Sequence, residues 1–163
     1  MNFGGVGSLI GHEMGHGYDP NFYPTADADG NCRPMLVDDS VLRHLNASRD
    51  CIKDRFINVT RDEPEFAYGV SQMFADQRGM RASHLAFMKT QPPPEKRMAG
   101  PLSNFNQEQL FFLSYANIWC NKVKATTQWR AAEPLRQYGA FAEAFQCPEG
   151  AHMAPKERCD VWS

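Results

Sequence analysis

Gly11-His12-Glu13-Met14-Gly15-His16-Gly17 sets two histidines four residues apart with a glutamate beside the first. On a helix, residues four apart lie one above the other on the same face, so His12 and His16 can aim their imidazoles at one metal ion. Glu13 stands beside the first of them and can reach a water in an open coordination position. A metal lowers the pKa of such a water, and a glutamate there accepts its proton as it attacks a peptide carbonyl. Three fixed residues at this spacing arise by chance in roughly one chain of this length in fifty, so the context must carry the rest of the argument. Val6, Leu9, Ile10, Met14 and Tyr18 recur at three- and four-residue spacing, which predicts one buried helix with these residues as its core face. Two histidines and a glutamate on a buried helix are costly without a shared purpose. Gly17 and Asp19-Pro20-Asn21 mark its end.

Gly4 to Gly11 is glycine-rich but misses the spacing of a dinucleotide loop, and no strand precedes it. Residues 19–37 read as loop. Within them, Asp27-Ala28-Asp29-Gly30-Asn31 lacks the glycine position and closing glutamate of a calcium loop and reads as a turn. A helix is expected from Asp38 to about Phe56, capped by Asp38-Asp39-Ser40. A polar connector closes at Pro64, and a longer helix follows from about Glu65 to Met88, broken by Gln91-Pro92-Pro93-Pro94. Asn106 to about Lys124 reads as a helix apolar around most of its circumference, hence buried on several sides. Two shorter helices near 128–138 and 139–146 precede a cysteine-bounded tail. With no internal repeat and no strand pattern, the fold expected is mainly α, in a single domain over residues 1–163.

A catalytic zinc normally takes three protein ligands. In one large class the third is a glutamate on a second helix, with an aspartate one turn later holding a ligand histidine from behind. The second long helix offers Gln72 and, four residues on, Asp76. The aspartate is present, but the glutamate position holds a neutral and poorer donor. Glu65, seven residues before Gln72 on a similar face, is the alternative third ligand.

At 163 residues and 18.4 kDa, with 42% hydrophobic and 22% charged residues, the chain is ordinary for a globular protein with one core. A net charge of -2 and a pI near 6.2 give no field that would recruit nucleic acid or an anionic membrane. No apolar run reaches the 18 or so residues of a spanning helix, and the first residues lack the pattern of a secretory signal. The five cysteines (Cys32, Cys51, Cys120, Cys147, Cys159) form no C-x-x-C pair. That argues against a second metal site and for disulfides. Sequons at Asn46 and Asn58 lean toward the same oxidising compartment. Secreted-type cysteine usage without a signal suggests a partial chain.

These residues resemble the C-terminal part of the M13 peptidases, the neprilysin-type family. Asn2-Phe3-Gly4-Gly5-Val6-Gly7 leading to Gly11-His12-Glu13-Met14-Gly15-His16-Gly17-Tyr18-Asp19 is similar to the family's zinc helix. Gln72-Met73-Phe74-Ala75-Asp76-Gln77-Arg78-Gly79 lies where the family has Glu-Asn-x-Ala-Asp-Asn-Gly-Gly. Gln109-Leu110-Phe111-Phe112-Leu113 through Ile118-Trp119-Cys120 is similar too, as is the ending Phe141 to Cys147 with Pro155, Cys159, Val161 and Trp162.

The resemblance implies a helical zincin-type metallopeptidase subdomain with a second metal-site helix, one bound zinc and peptide substrates. It makes His12 and His16 ligands, Glu13 the general base, Asp76 the carboxylate behind a ligand, and Gln72 the third-ligand position. The family also has a His-Ser-Pro motif and a substrate-binding arginine. Between Asn121 and Gln146 there is no histidine, and Arg136 is the counterpart assigned to the arginine. Loss of an oxyanion donor typically lowers turnover 10²–10³-fold. The reading is therefore a zinc endopeptidase with an eroded site, alternatively a non-catalytic homologue or binding domain, or part of a longer peptidase. The family pattern further implies a Cys51–Cys159 disulfide, Cys120 and Cys147 paired to an absent N-terminal region, no counterpart for Cys32, and an extracellular or ectodomain location.

Overall fold

The computed structural model describes residues 2–19, 25–26, 29–30, 32–33, 38–57, 66–93, 98–120 and 125–159. A π-helical turn at Phe3–Gly7 runs into α1, Ser8–His16. Two two-residue strands, β1 (Thr25–Ala26) and β2 (Cys32–Arg33), pair antiparallel within the expected loop and add no layer to the fold. The helices α2 (Asp39–Ile57) and α3 (Phe66–Lys89) follow, then a 3-10 turn at Gly100–Asn104. The chain goes on to α4 (Gln107–Asn117), α5 (Ala125–Arg136) and α6 (Gly139–Ala144). The fold is mainly α, as the patterning predicts.

Local chemistry sets the helix ends. Asp38 Oδ1 accepts the backbone N–H of Ser40 at 2.8 Å and starts α2. Asn106 and Gln109 form a reciprocal capping box, each side chain accepting the other's backbone N–H at 2.8 and 2.9 Å. The helix α4 stops at Asn117, short of the expected Lys124, and a turn of three residues carries Trp119 and Cys120.

α3 is the axis of the molecule. Every residue from Val70 to Met80 is buried, because the chain packs on all its sides. On one side Val70, Met73 and Phe74 join Leu45, Ile52 and Phe56 of α2, Trp129 of α5 and Cys159. On another, Met80 joins Phe111, Phe112 and Tyr115 of α4 and Leu135 of α5. The Cys51–Cys159 disulfide ties α2 to the C-terminal segment across 108 residues, as the family pattern implies. Closing a loop of that length stabilises a fold by on the order of 4–5 kcal/mol in chain-entropy terms.

The third side of α3 belongs to α1, and here one expectation is overturned. Val6, Leu9, Ile10, Met14 and Tyr18 were expected to face the core; they are exposed, from 44% at Leu9 to 66% at Met14. What the π-helical turn and α1 bury instead is the opposite face, Gly4 of the turn and Ser8, His12, Gly15 and His16 of α1. The reason is distance. A Cβ on Gly11 would lie 2.7 Å from the Gly79 carbonyl oxygen, and one on Gly15 would lie 3.0 Å from that of Ala75. A Cβ on Gly79 would collide with the backbone of His12. Small residues let the two helix backbones touch, which brings the metal-type residues of both to one place and turns the large apolar residues outward.

Candidate metal centre

His12 and His16 project from the buried face of α1 with their Nε2 atoms 3.1 Å apart, ring planes nearly perpendicular. Such a separation suits two ligands of one ion, since each nitrogen then lies about 2.0–2.1 Å from a shared zinc. From α3, the Gln72 side-chain amide nitrogen comes within 3.2 Å of His16 Nε2. Asp76, one turn on, brings Oδ1 to 2.7 Å from His12 Nδ1. The approach is close, but a ring N–H there would not point along that line. Burial lowers the His16 pKa, the neighbouring His12 adds to this, and Glu13, Asp19 and Asp76 oppose it. A neutral imidazole with a lone pair on Nε2 is the form that binds metal. Glu13 is exposed beside them.

Behind the histidines stands a residue the sequence reading passed over. Arg130 of α5 grips Asp76 with both arms, Nε to Oδ2 at 2.6 Å and Nη2 to Oδ1 at 2.8 Å. Its guanidinium also lies 4.3 Å above the Trp119 ring. Burial works against the arginine's charge, but the bonds and charge of Asp76 outweigh it, so its pKa is raised. Its placement is built in. Pro134 lacks the N–H that would bond the Arg130 carbonyl in a regular helix, and that carbonyl accepts the Tyr115 hydroxyl at 2.9 Å. Trp129 packs on Phe56, ring centres 4.5 Å apart, and fixes the rotation of α5. A proline four residues after an arginine, on a helix anchored by tryptophan, is the sequence signal that could have singled it out.

Arg136, assigned in the sequence reading to substrate binding, is engaged elsewhere. It donates to Glu133 Oε2 at 2.7 Å and to the His152 carbonyl at 2.8 Å. Asp19, fully buried just after α1, receives Arg49 Nε at 3.2 Å and so moors the end of the metal helix to α2. Glu65 and Asn58 lie outside the described residues. Asn46 is exposed in the middle of α2, with Ser48 of its sequon buried. Cys120 and Cys147 are unpaired among the described residues. Also among the described residues, no group of three His, Cys, Asp or Glu converges as a metal site, because the third donor here is an amide. No described helix is long and apolar enough to cross a membrane.

A mainly helical unit, with a His-Glu-x-x-His helix laid on a second helix that carries Asp76, defines the class: the chain belongs to peptidase family M13, whose model matches residues 1–161. Among its relatives, it is 31% identical over 180 residues to human membrane metallo-endopeptidase-like 1, and 32% over 181 residues to neprilysin-11 of Caenorhabditis elegans. Human endothelin-converting enzyme 1 is 27% identical over 177 residues. Each match covers 99% of this chain, which spans only 21–23% of the relatives' length. A solved structure described as a Haemonchus galactose containing glycoprotein complex superposes with a TM-score of 0.79 at 27% identity, over 99% of this chain and 30% of that one.

Proposed function

We propose that this chain carries the metal centre of a zinc-dependent endopeptidase, weakened at its third ligand. The observation that supports it is the convergence of His12 and His16 Nε2, 3.1 Å apart, with Asp76 against the rear of His12. The donor set fits zinc in two of three positions. His12 and His16 would hold the ion, and Gln72 would offer a carboxamide oxygen where a carboxylate would bind more tightly. Bound zinc would supply Lewis acidity and lower the pKa of a coordinated water.

The remaining work falls to the chain's own side chains. Glu13 accepts the proton of the attacking water and passes it to the leaving amine. Asp76, held by Arg130, keeps His12 oriented. Arg130 Nη1, unengaged among the described residues, donates to a substrate backbone carbonyl, the role given to Arg136 from sequence. Peptides are the substrates, an extracellular setting suits the disulfide, and the outward apolar face of α1 would be covered by polypeptide equivalent to the rest of an M13 chain.

The zinc-loaded protein should cleave a quenched peptide, and Glu13→Gln should lower that rate by at least 100-fold with zinc binding unchanged. Equal rates for the two proteins, or none in the zinc-loaded wild type, would sink the peptidase reading. A second reading, a non-catalytic homologue, is favoured by one observation: the neutral amide of Gln72 faces His16 where the family has a carboxylate.

A further inference from the structure

The two nitrogens that face each other across the Gln72–His16 contact are chemically unlike. An amide nitrogen can only donate a hydrogen bond, while an imidazole Nε2 with its proton on Nδ1 can only accept one. At 3.2 Å the Gln72 amide nitrogen is placed to donate to His16 Nε2 in the tautomer that carries its proton on Nδ1, with His12 Nε2 3.1 Å from the same atom. His12, His16 and Gln72 are all at least nine-tenths buried, so water competes poorly for that lone pair. Glutamate at the same position would set a carboxylate against imidazole lone pairs, acceptor against acceptor, unless a cation or proton lay between them. The other nearby carboxylate cannot take over the third position, because both oxygens of Asp76 are held by Arg130.

We infer that Gln72 gives this metal centre two resting states, one closed without metal by its own hydrogen bond and one open to an exchangeable ion. In the closed state the Gln72 N–H caps His16 Nε2. In the open state the amide turns half a revolution about its last torsion, which is soft and two-fold for glutamine, and presents Oε1 to the ion. The metal then competes with an internal hydrogen bond and gains only a neutral ligand, so occupancy follows the free zinc concentration. This rests on the metal-site part of the proposed function. It makes any activity conditional on zinc supply, while the fold is not.

The test uses the full chain, stripped with EDTA, then titrated with zinc, with affinity read by chelator competition and stability by thermal melting. The wild type should melt within about 2 °C with and without zinc. Gln72→Glu should bind zinc at least tenfold more tightly, melt lower than wild type without metal and higher with it. If Gln72→Glu aggregates without metal, Gln72→Leu replaces it; lacking both donor and acceptor, it should lower the metal-free melting temperature and weaken zinc binding. A wild type that loses several degrees in EDTA, or binds zinc as tightly as Gln72→Glu, overturns the inference. So does a wild type that takes up no zinc at all. A wild type that behaves as expected yet cleaves no peptide leaves the two states standing and removes only the peptidase reading.

Discussion

The molecule holds two buried histidine groups, and they are built on opposite plans. His84 of α3 lies among Phe111, Phe112 and Tyr138, its ring stacked 4.9 Å from that of Phe112. Each of its nitrogens meets a partner of matching kind. The Tyr138 hydroxyl is 2.9 Å from Nδ1 and Glu108 Oε1 is 3.1 Å from Nε2, so one neutral tautomer accepts from the tyrosine and donates to the carboxylate. At His12 and His16, nitrogen faces nitrogen and the nearest aspartate sits behind the site. The first group is complete in itself and ties α3 to α4 and to the turn before α6. The second sets two imidazole nitrogens 3.1 Å apart, a spacing that calls for a proton or a cation between them. A buried histidine points to metal chemistry where its nitrogen faces another nitrogen, not where it meets an oxygen of matching kind.

The second group is most sensitive at the helix contact that creates it. Gly79→Val would drive a side chain into the backbone of His12, so the folded protein should be lost or its melting temperature fall by more than 10 °C in circular dichroism. A valine at Ala82, exposed on the same helix, should shift it by no more than a few degrees. A Gly79→Val protein that melts like wild type would mean α1 does not seat on α3 as described.

A smaller lesion separates the two groups by their chemistry. Arg130→Met leaves the buried Asp76 carboxylate without its cation. The loss should be about 3 kcal/mol, at the low end for a broken buried pair because the guanidinium is 22% exposed. Zinc affinity should drop roughly 10-fold as His12 loses its orientation. Glu108→Gln, the corresponding lesion at His84, should leave zinc affinity unchanged. Equal effects of both variants on zinc would dissolve the distinction.

The smallest effect is read in acid. Burial pushes the His84 pKa down to about 4 from an ordinary 6.5. The neutral ring is thus favoured in the folded state. Its contribution is complete above pH 6.5 and is lost as the pH falls from 6.5 toward 4, because the unfolded chain takes up the proton first. Glu108, whose carboxyl is pushed up by burial and by Glu143, offsets part of this. Denaturation between pH 7 and 4 should show wild type losing about 2 kcal/mol more than His84→Gln. Parallel curves would show that His84 titrates alike in both states.

Much of the site was legible because helical spacing is local. The four-residue interval in His12-Glu13-Met14-Gly15-His16 and the same interval from Gln72 to Asp76 place these side chains on their helix faces whatever surrounds them. The Cys51–Cys159 pairing was legible through the resemblance. The burial of α1 was not, because a periodic apolar face predicts a buried face only when packing is set by side-chain volume. Here Gly11, Gly15 and Gly79 set it by backbone approach, and Val6, Ile10 and Met14 are left outside. Arg130 and Arg136 are equally plausible by composition and lie six residues apart on one helix. Only the rotation of α5, fixed by Trp129 on Phe56 and by Tyr115 on the Arg130 carbonyl, decides that the first reaches Asp76.

Residue type and short spacing alone reveal the lineage, the helical class and the candidate metal-type residues, because these are local properties. Packing settles which atoms meet: which face of α1 is covered, which arginine holds Asp76, and that Gln72 lies against His16. Those outcomes depend on close approaches between residues such as His16 and Gln72, 56 residues apart in the chain, which no local pattern carries.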